Sequence, residues 1–396
     1  MKKIRYSIIP LLMLATVVFA QNFIYDVDCT NYFDDMLYDR VRRIIRLPTV
    51  NGLLPLKCDF HNHTVFSDGD VWPAARVTEA WQDGLDAIAI TDHTYMSGAN
   101  PRGGLPGGPN RSFEIAKPEG ERLGLIVIQG TEISRIHPDG GHLNALFITD
   151  AEKTVGLPGE EAVKEAVRQG GLVIWNHPPY PGKTYTSILY DVNKRLIEAG
   201  YIHAIEVFNY GEWYPRVLSW CRDFNLAPVA ATDVHYLTSN FYRLSDKTFR
   251  PMTIVLAREK TQEAIKDALL QRQTIAFFKG MLAGNADLLQ EFFFASVSIK
   301  KISAFKRGKR DPNNFIAMDP YDTPNEEEQD MNLYLVTNPY DVPYVLVLEN
   351  GRKMTVHANS EITFDMPAAV KEMKADIINL HTYENETLKV SIPLPQ

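Results

Sequence analysis

The sequence predicts an α/β fold, a distorted seven-stranded (β/α) barrel followed by a small C-terminal all-β, sandwich-like domain. Three observations carry that reading. Between residues 55 and 285, short apolar runs alternate with amphipathic stretches, the rhythm of buried strands crossed over by helices. Ligand-type polar residues close most of those runs, and a parallel barrel gathers its strand ends on one face. From residue 286 the alternation stops, and short apolar runs follow one another between turn signals such as Glu349-Asn350-Gly351.

The N-terminal end comes first in chain order. Lys2, Lys3 and Arg5 precede an apolar run from Ile8 to Phe19, and Val18-Phe19-Ala20 offers small residues before a cut at Gln21. This is the pattern of a secretory signal over residues 1–20, so the chain is expected to be exported, periplasmic or secreted, without stable membrane insertion once cut. An uncleaved anchor is the alternative, although the run is short for a membrane span. Residues 21–54 are expected to form an N-terminal helical segment. Phe33, Met36, Leu37, Val41, Ile44 and Ile45 recur at helical spacing over 31–46, as an amphipathic helix does.

Strands are expected at 56–60, 85–91, 125–130, 143–148, 172–175, 202–208 and 227–231. Helices are expected over Pro73–Asp83, Gly159–Gln169, Val192–Ala199 and Tyr214–Phe224. The Gly/Pro-rich stretch 97–110 reads as a flexible connector, with a lid over the site as its alternative. It has no Gly-Lys-Ser/Thr of a phosphate-cradling loop. C-terminal strands are expected at 292–299, 332–337, 344–348, 353–356, 362–364, 375–380 and 388–392, with the acidic stretch 319–330 as a solvated loop.

Composition narrows the chemistry. The 396 residues are 45% hydrophobic and 23% charged, enough for a large core. A formal net charge of -8 argues against a nucleic-acid surface, which needs clustered Lys and Arg. Three cysteines, Cys29, Cys58 and Cys221, cannot make a disulfide framework; one bridge is possible and its partners stay open.

The chemistry lies in the histidines and acids. Asp59-Phe60-His61-Asn62-His63 ends the first strand, with Asp68 in the loop beyond. Thr91-Asp92-His93, Gly130-Thr131-Glu132, Asn176-His177 and Thr232-Asp233-Val234-His235 end the second, third, fifth and seventh. His142 starts the fourth run instead, out of step with the rest. Imidazoles and carboxylates without a thiolate cluster suit Zn, Mn or Fe. So many ligand candidates suit two or three neighbouring divalent ions with a shared carboxylate, and burying them uncompensated would be costly. His203, His357 and His381 read as structural or exposed.

In the order and spacing of these motifs, residues 55–280 resemble the PHP (polymerase and histidinol phosphatase) domain of metal-dependent phosphoesterases. Carried over by motif, the resemblance implies that His61, His63, Glu132 and Asp233 hold one ion. Glu132, His142 and His177 would hold a second, and Asp68, His93 and His235 a third. Asp92 would orient an imidazole. It further implies that a hydroxide bridging the ions attacks a small phosphorylated substrate, a phosphomonoester or nucleotide, with Glu132 and Asp233 as catalytic ligands. Arg135 and Arg243 are candidates for positioning the anion, and Asn209 for facing the substrate; each could equally be structural or a surface residue. A metal-dependent C–N or C–O hydrolase and a non-catalytic binding module are the alternative readings.

Overall fold

The computed structural model describes residues 41–94, 104–136, 140–180, 182, 185–244, 248–307 and 329–396. The expected signal and most of the expected N-terminal helix lie outside them. Residues 41–49 carry no helix, a correction with a local cause. Arg43 N donates to Gln82 O at 2.9 Å and Arg46 N to the Asp341 carboxylate at 2.6 Å, so these donors are claimed by the body of the protein.

Strands form where the barrel runs predict them. In order come β1 (Leu54–Asp59), α1 (Pro73–Gln82), β2 (Ala87–Ile90), α2 (Gly108–Leu123), β3 (Ile126–Ile136) and β4 (Gly141–Leu146). Next are α3 (Gly159–Arg168), β5 (Leu172–Trp175), α4 (Asp191–Glu198), β6 (Ala204–Asn209), β7 (Glu212–Trp213), α5 (Pro215–Asp223) and β8 (Ala227–Ala231). β5, β6 and β8 are buried along their whole length, as unbroken apolar runs covered on both faces must be. α2 begins inside the stretch read as a connector. Gly107 and Gly108 turn the chain with φ of 144° and 72°, and Pro109 lies in the first helical turn, where its missing N–H costs nothing. Residues 97–103 lie outside the described residues.

Pairing is parallel for β1–β2, β2–β3, β5–β6 and β6–β8. β4 runs against both of its neighbours, which corrects the expectation of an all-parallel sheet. Only residues 137–140 separate it from β3, enough for a hairpin and too few for a crossover. β4 therefore begins at the rim where the other strands end. That reversal brings His142 into line with the other histidines.

The chain continues with α6 (Thr238–Phe241), β9 (Met252–Ala257), α7 (Gln262–Leu270), β10 (Thr274–Phe278) and β11 (Met281–Gly284). β9 lies antiparallel against β1, and β10 and β11 extend the sheet beyond it. Among the described residues no backbone ladder joins β8 to β9. Side chains span that seam: the Thr253 hydroxyl bonds Ala230 N and O at 3.0 and 2.9 Å, and the Thr274 hydroxyl bonds Pro228 O at 2.9 Å.

The last elements are α8 (Ala286–Ser296), β12 (Ser298–Arg307), β13 (Gln329–Asn338), β14 (Tyr344–Leu348), β15 (Lys353–Val356), β16 (Ser360–Pro367), β17 (Glu372–Tyr383) and β18 (Glu386–Pro393). Expected as strand from 292, the chain is helical through Ser296. Asn285 caps the helix by accepting from Asp287 N and Leu288 N, and Leu289, Phe292, Phe293 and Ser296 share its buried face. β12, β13 and β16 form a separate three-stranded sheet, whereas β17 pairs in parallel with β11 and joins the larger one. Tyr334 and Phe364 from the first sheet, Leu346 and Ile377 from the second, and Ile254 and Leu282 share one core. The fold is α/β with a β-rich C-terminal part. No helix among the described residues is long and apolar enough to cross a membrane. Cys58 and Cys221 are buried free thiols, and Cys29 lies outside the described residues.

Candidate metal centre

The sequence places the ligand candidates on separate loops, and pairing between those loops fixes their approach. Asn62 and Val234 form a parallel bridge, and His93 and Glu132 form another. Asp233 N donates to His61 O at 3.0 Å. His177 and Asp233 take left-handed backbone, with φ of 24° and 51°, a strain that persists where surrounding structure holds a side chain to a task. Asp68 rides on a loop tied down by Gly69 N to Thr64 O (3.0 Å) and Asp70 N to His235 O (2.7 Å). A Cβ on Gly69 would stand 2.9 Å from His63 C and Thr64 N, and 3.0 Å from His235 O. Gly69→Ala is thus expected to displace Asp68 and weaken cation binding about tenfold while the chain still folds. Calorimetric titration beside a thermal melt checks this, and unchanged affinity would count against the packing argument.

All nine expected donors converge. His61 Nε2, His63 Nε2 and Asp233 Oδ1 form a triangle with edges of 3.1, 3.1 and 3.2 Å. A cation at about 2.0–2.2 Å from each donor would sit just above such a triangle. Asp68 Oδ1 lies 3.2 Å from His235 Nε2 and 3.4 Å from His93 Nε2. Glu132 stands at the centre, Oε1 lying 2.9 Å from His142 Nδ1 and 3.5 Å from both His61 Nε2 and His177 Nε2. Its Oε2 lies 2.7 Å from His93 Nδ1 and 3.5 Å from His63 Nε2. Four groups able to hold a cation result: His63, Asp68, His93 and His235; His61, His63 and Asp233; His61, Glu132 and His177; His93, Glu132 and His142. They overlap the sets implied by resemblance, with His61, His63 and His93 each serving a further group.

Bonds on the far side of the rings show how the donors are aimed. His61 Nδ1 donates to Glu206 Oε1 at 2.8 Å and His235 Nδ1 to Asp233 O at 2.8 Å. His63 Nδ1 meets Ser67 Oγ at 3.2 Å, and that hydroxyl is itself committed to Asp92 Oδ1 at 2.6 Å. His93 Nδ1 meets Ser134 Oγ at 2.6 Å. In His61, His63 and His235 the Nδ1 partner accepts the hydrogen bond, which leaves Nε2 aimed at the shared centre, as metal-ligating imidazoles require, whereas His93 Nδ1 faces both Ser134 Oγ and Glu132 Oε2. The donor set fits divalent ions.

Electrostatics agree with that fit. Burial opposes charge on His93, yet the Glu132 and Asp68 carboxylates push it up to about 10. Burial and the neighbouring His235 and His93 rings pull His63 down to about 4. Although burial disfavours its charge, Glu132 is held well below the usual carboxylate range by His142, His93 and His61. Protons on the imidazoles here balance the acids, and binding a divalent ion would displace them.

Several partners escape sequence reasoning. Asp92, expected to orient an imidazole, binds Thr64 N, Thr64 Oγ1 and Ser67 Oγ, and reaches His63 through Ser67. Glu206 was missed. Its Oε2 accepts from His177 N at 2.7 Å and Asn209 Nδ2 at 2.8 Å. A lone acid inside an apolar strand is the signal that could have found it, because a buried carboxylate needs partners. Asn176 Nδ2 donates to Glu132 Oε1 at 2.9 Å. His203, expected to be structural, accepts from Val173 N through Nδ1 at 3.1 Å.

Seven of the nine donors, all but His61 and His63, line a cleft of about 370 Å³ whose other walls include Tyr180, Tyr185, Asn209, Tyr210, Glu212 and Tyr214. Asn209 thus faces the cleft as well as Glu206. Arg243 is exposed and does not line it, and the side chain of Arg135 lies outside the described residues.

Comparison with known proteins gives the same picture. The PHP domain model matches residues 59–237, a span holding all nine donors. A crystal structure from Bacteroides vulgatus, of a two-domain protein containing a predicted PHP-like metal-dependent phosphoesterase, is 32% identical. It aligns over 89% of this chain and 99% of its own, with a TM-score of 0.77. An uncharacterised protein of Methanocaldococcus jannaschii is 39% identical over 116 residues, 29% of this chain. The chain spans about half the length (50%) of that curated relative. With the likeness to the Bacteroides protein running through both the α/β part and the β-rich part, the chain belongs to the PHP domain family of metal-dependent phosphoesterases.

Proposed function

We propose that this protein is an exported hydrolase of a small phosphorylated substrate, a phosphomonoester or nucleotide. The observation that carries it is the convergence of nine buried or half-buried donors, several with Nε2 facing inward, seven of them lining one cleft. In this reading His61, His63, Asp68, His93, Glu132, His142, His177, Asp233 and His235 hold two or three ions of Zn, Mn or Fe. Bound there, the ions would supply an acidified water and neutralise charge on the phosphoryl group.

The chain's own residues do the rest. Glu206 and the Ser67–Asp92 pair keep protons on Nδ1 of His61 and His63, so their rings cannot turn away. Glu132 and Asp233 touch the reacting centre through the ligands they share. Arg135, three residues beyond Glu132 on β3, is the proposed anion-positioning residue, and the exposed Arg243 is the weaker candidate. The tyrosine-bearing wall shapes the space for the leaving group. Export is supported by the charged and apolar pattern of the first 20 residues.

The test is release of phosphate from p-nitrophenyl phosphate, run beside amide and lactone substrates with added Mn or Zn. Chelator treatment is expected to abolish turnover and lower the melting temperature, since ions binding only the native state contribute about 3–4 kcal/mol at 100–1,000 times their Kd. Adding the ion back should restore both. Turnover that survives complete stripping refutes the proposal, and amide or lactone cleavage without phosphate release would reassign the reaction.

A further inference from the structure

Arg76 is fully buried on α1, is not one of the nine donors and does not line the cleft. Its guanidinium is spent on main-chain carbonyls. Nη2 donates to His63 O at 3.1 Å and Val234 O at 3.3 Å, Nε to His63 O at 3.3 Å, and Nη1 to Tyr236 O at 2.8 Å. Nη1 also meets Glu79 Oε2 at 2.8 Å, and the other Glu79 oxygen accepts from Thr238 N at 2.9 Å. One side chain thus clips the segment carrying His63 to the segment carrying Asp233 and His235.

The four donor groups do not depend equally on that clip. In the group of His61, His63 and Asp233 two donors lie on the clipped segments, and His61 is held separately by Glu206. In the group of His63, Asp68, His93 and His235, two donors also lie on the clipped segments. A third, Asp68, lies on the loop tied to His235 O and Thr64 O. The groups built on Glu132 have other supports: Asn176 on Glu132 itself, Glu206 on His61 and on the backbone of His177, and Ser134 on His93. Desolvating a guanidinium is costly, so a spacer at this place would be apolar. The guanidinium makes five hydrogen bonds from three nitrogens, more than the three donors of a lysine ammonium can supply.

Resting on the metal-centre reading above, we infer that Arg76 is a positioning residue that sets the affinity of the cation held by His63, Asp68, His93 and His235, and leaves the cations on Glu132 largely alone. The test uses the full chain, stripped of metal and titrated calorimetrically with Mn or Zn alone, with bound metal counted by elemental analysis. Asp68→Asn marks the ion in question, because Asp68 serves that group only. Arg76→Lys is expected to weaken the same ion about 10- to 100-fold, the usual cost of losing a residue that orients ligands. The ions on Glu132 should bind as in the wild type, an ion on His61, His63 and Asp233 should weaken less, and excess cation should refill the weakened site. Should Arg76→Lys fail to fold, Glu79→Gln releases one arm of the clip and is expected to weaken the same ion to a smaller extent. Parallel weakening of every ion, loss of a different ion from that lost in Asp68→Asn, or full affinity in folded variants overturns the inference. A wild-type chain that takes up no divalent ion refutes the metal-centre reading itself.

Discussion

Glu132→Gln is expected to cut phosphate release on the order of a thousandfold, as removal of several kcal/mol of charge stabilisation at the reacting centre does. Glu132 has five imidazoles within 3.5 Å and is 1% exposed. Glutamine keeps the size and one oxygen but removes the charge that two of the donor groups share. Bound metal should fall at the same time, while the metal-free variant stays folded because the imidazoles around Glu132, unlike a guanidinium, can lose their protons and then need no counter-charge. Phosphate release and metal content measured on one preparation check this. A variant with full metal and near-normal turnover would show that Glu132 is not the hub.

Arg250→Met is expected to cost about 3–5 kcal/mol of stability, the usual effect of orphaning one member of a buried ion pair. Arg250 is 1% exposed, and its Nη2 lies 2.6 Å from Asp59 Oδ2 and 3.2 Å from Asn62 Oδ1. Asp59, 0% exposed, also accepts from Thr232 N, Thr232 Oγ1 and His61 N. Without the guanidinium, that carboxylate remains buried beside the backbone that aims His61 and Asp233. Urea unfolding of the metal-free chain measures the loss. Adding Asp59→Asn should recover part of it, since the two changes share one interaction. Equal midpoints for variant and wild type would refute the assignment.

Much of this site was legible in the sequence because two strong signals coincide. Apolar runs at strand length marked the walls, and ligand-type residues at their ends marked the rim. What stayed hidden was carried by contacts across long stretches of chain. Arg76 meets carbonyls 13 and about 160 residues away, and Glu206 meets an imidazole 145 residues away. Neither leaves a local pattern. The direction of β4 was hidden for another reason: an apolar run reads the same parallel or antiparallel, and only the short link before it encodes the reversal. At α2, glycines and prolines that start a helix look the same as those that interrupt one.

That reversal has a consequence for how this stretch can vary. Glu132 and His142 face the same pool of donors from two arms of one hairpin, with Glu132 opposite Asn144 and Ile136 opposite Gly141. Because side chains alternate along each arm, one inserted residue would swing His142 to the outside of the wall, and a second would swing it back. Changes of length within the paired arms between these two residues are therefore tolerated in even steps, unless the irregularity between Ile133 and Ile136 or the link 137–140 absorbs the odd one. The spacing of the pair obeys a parity rule.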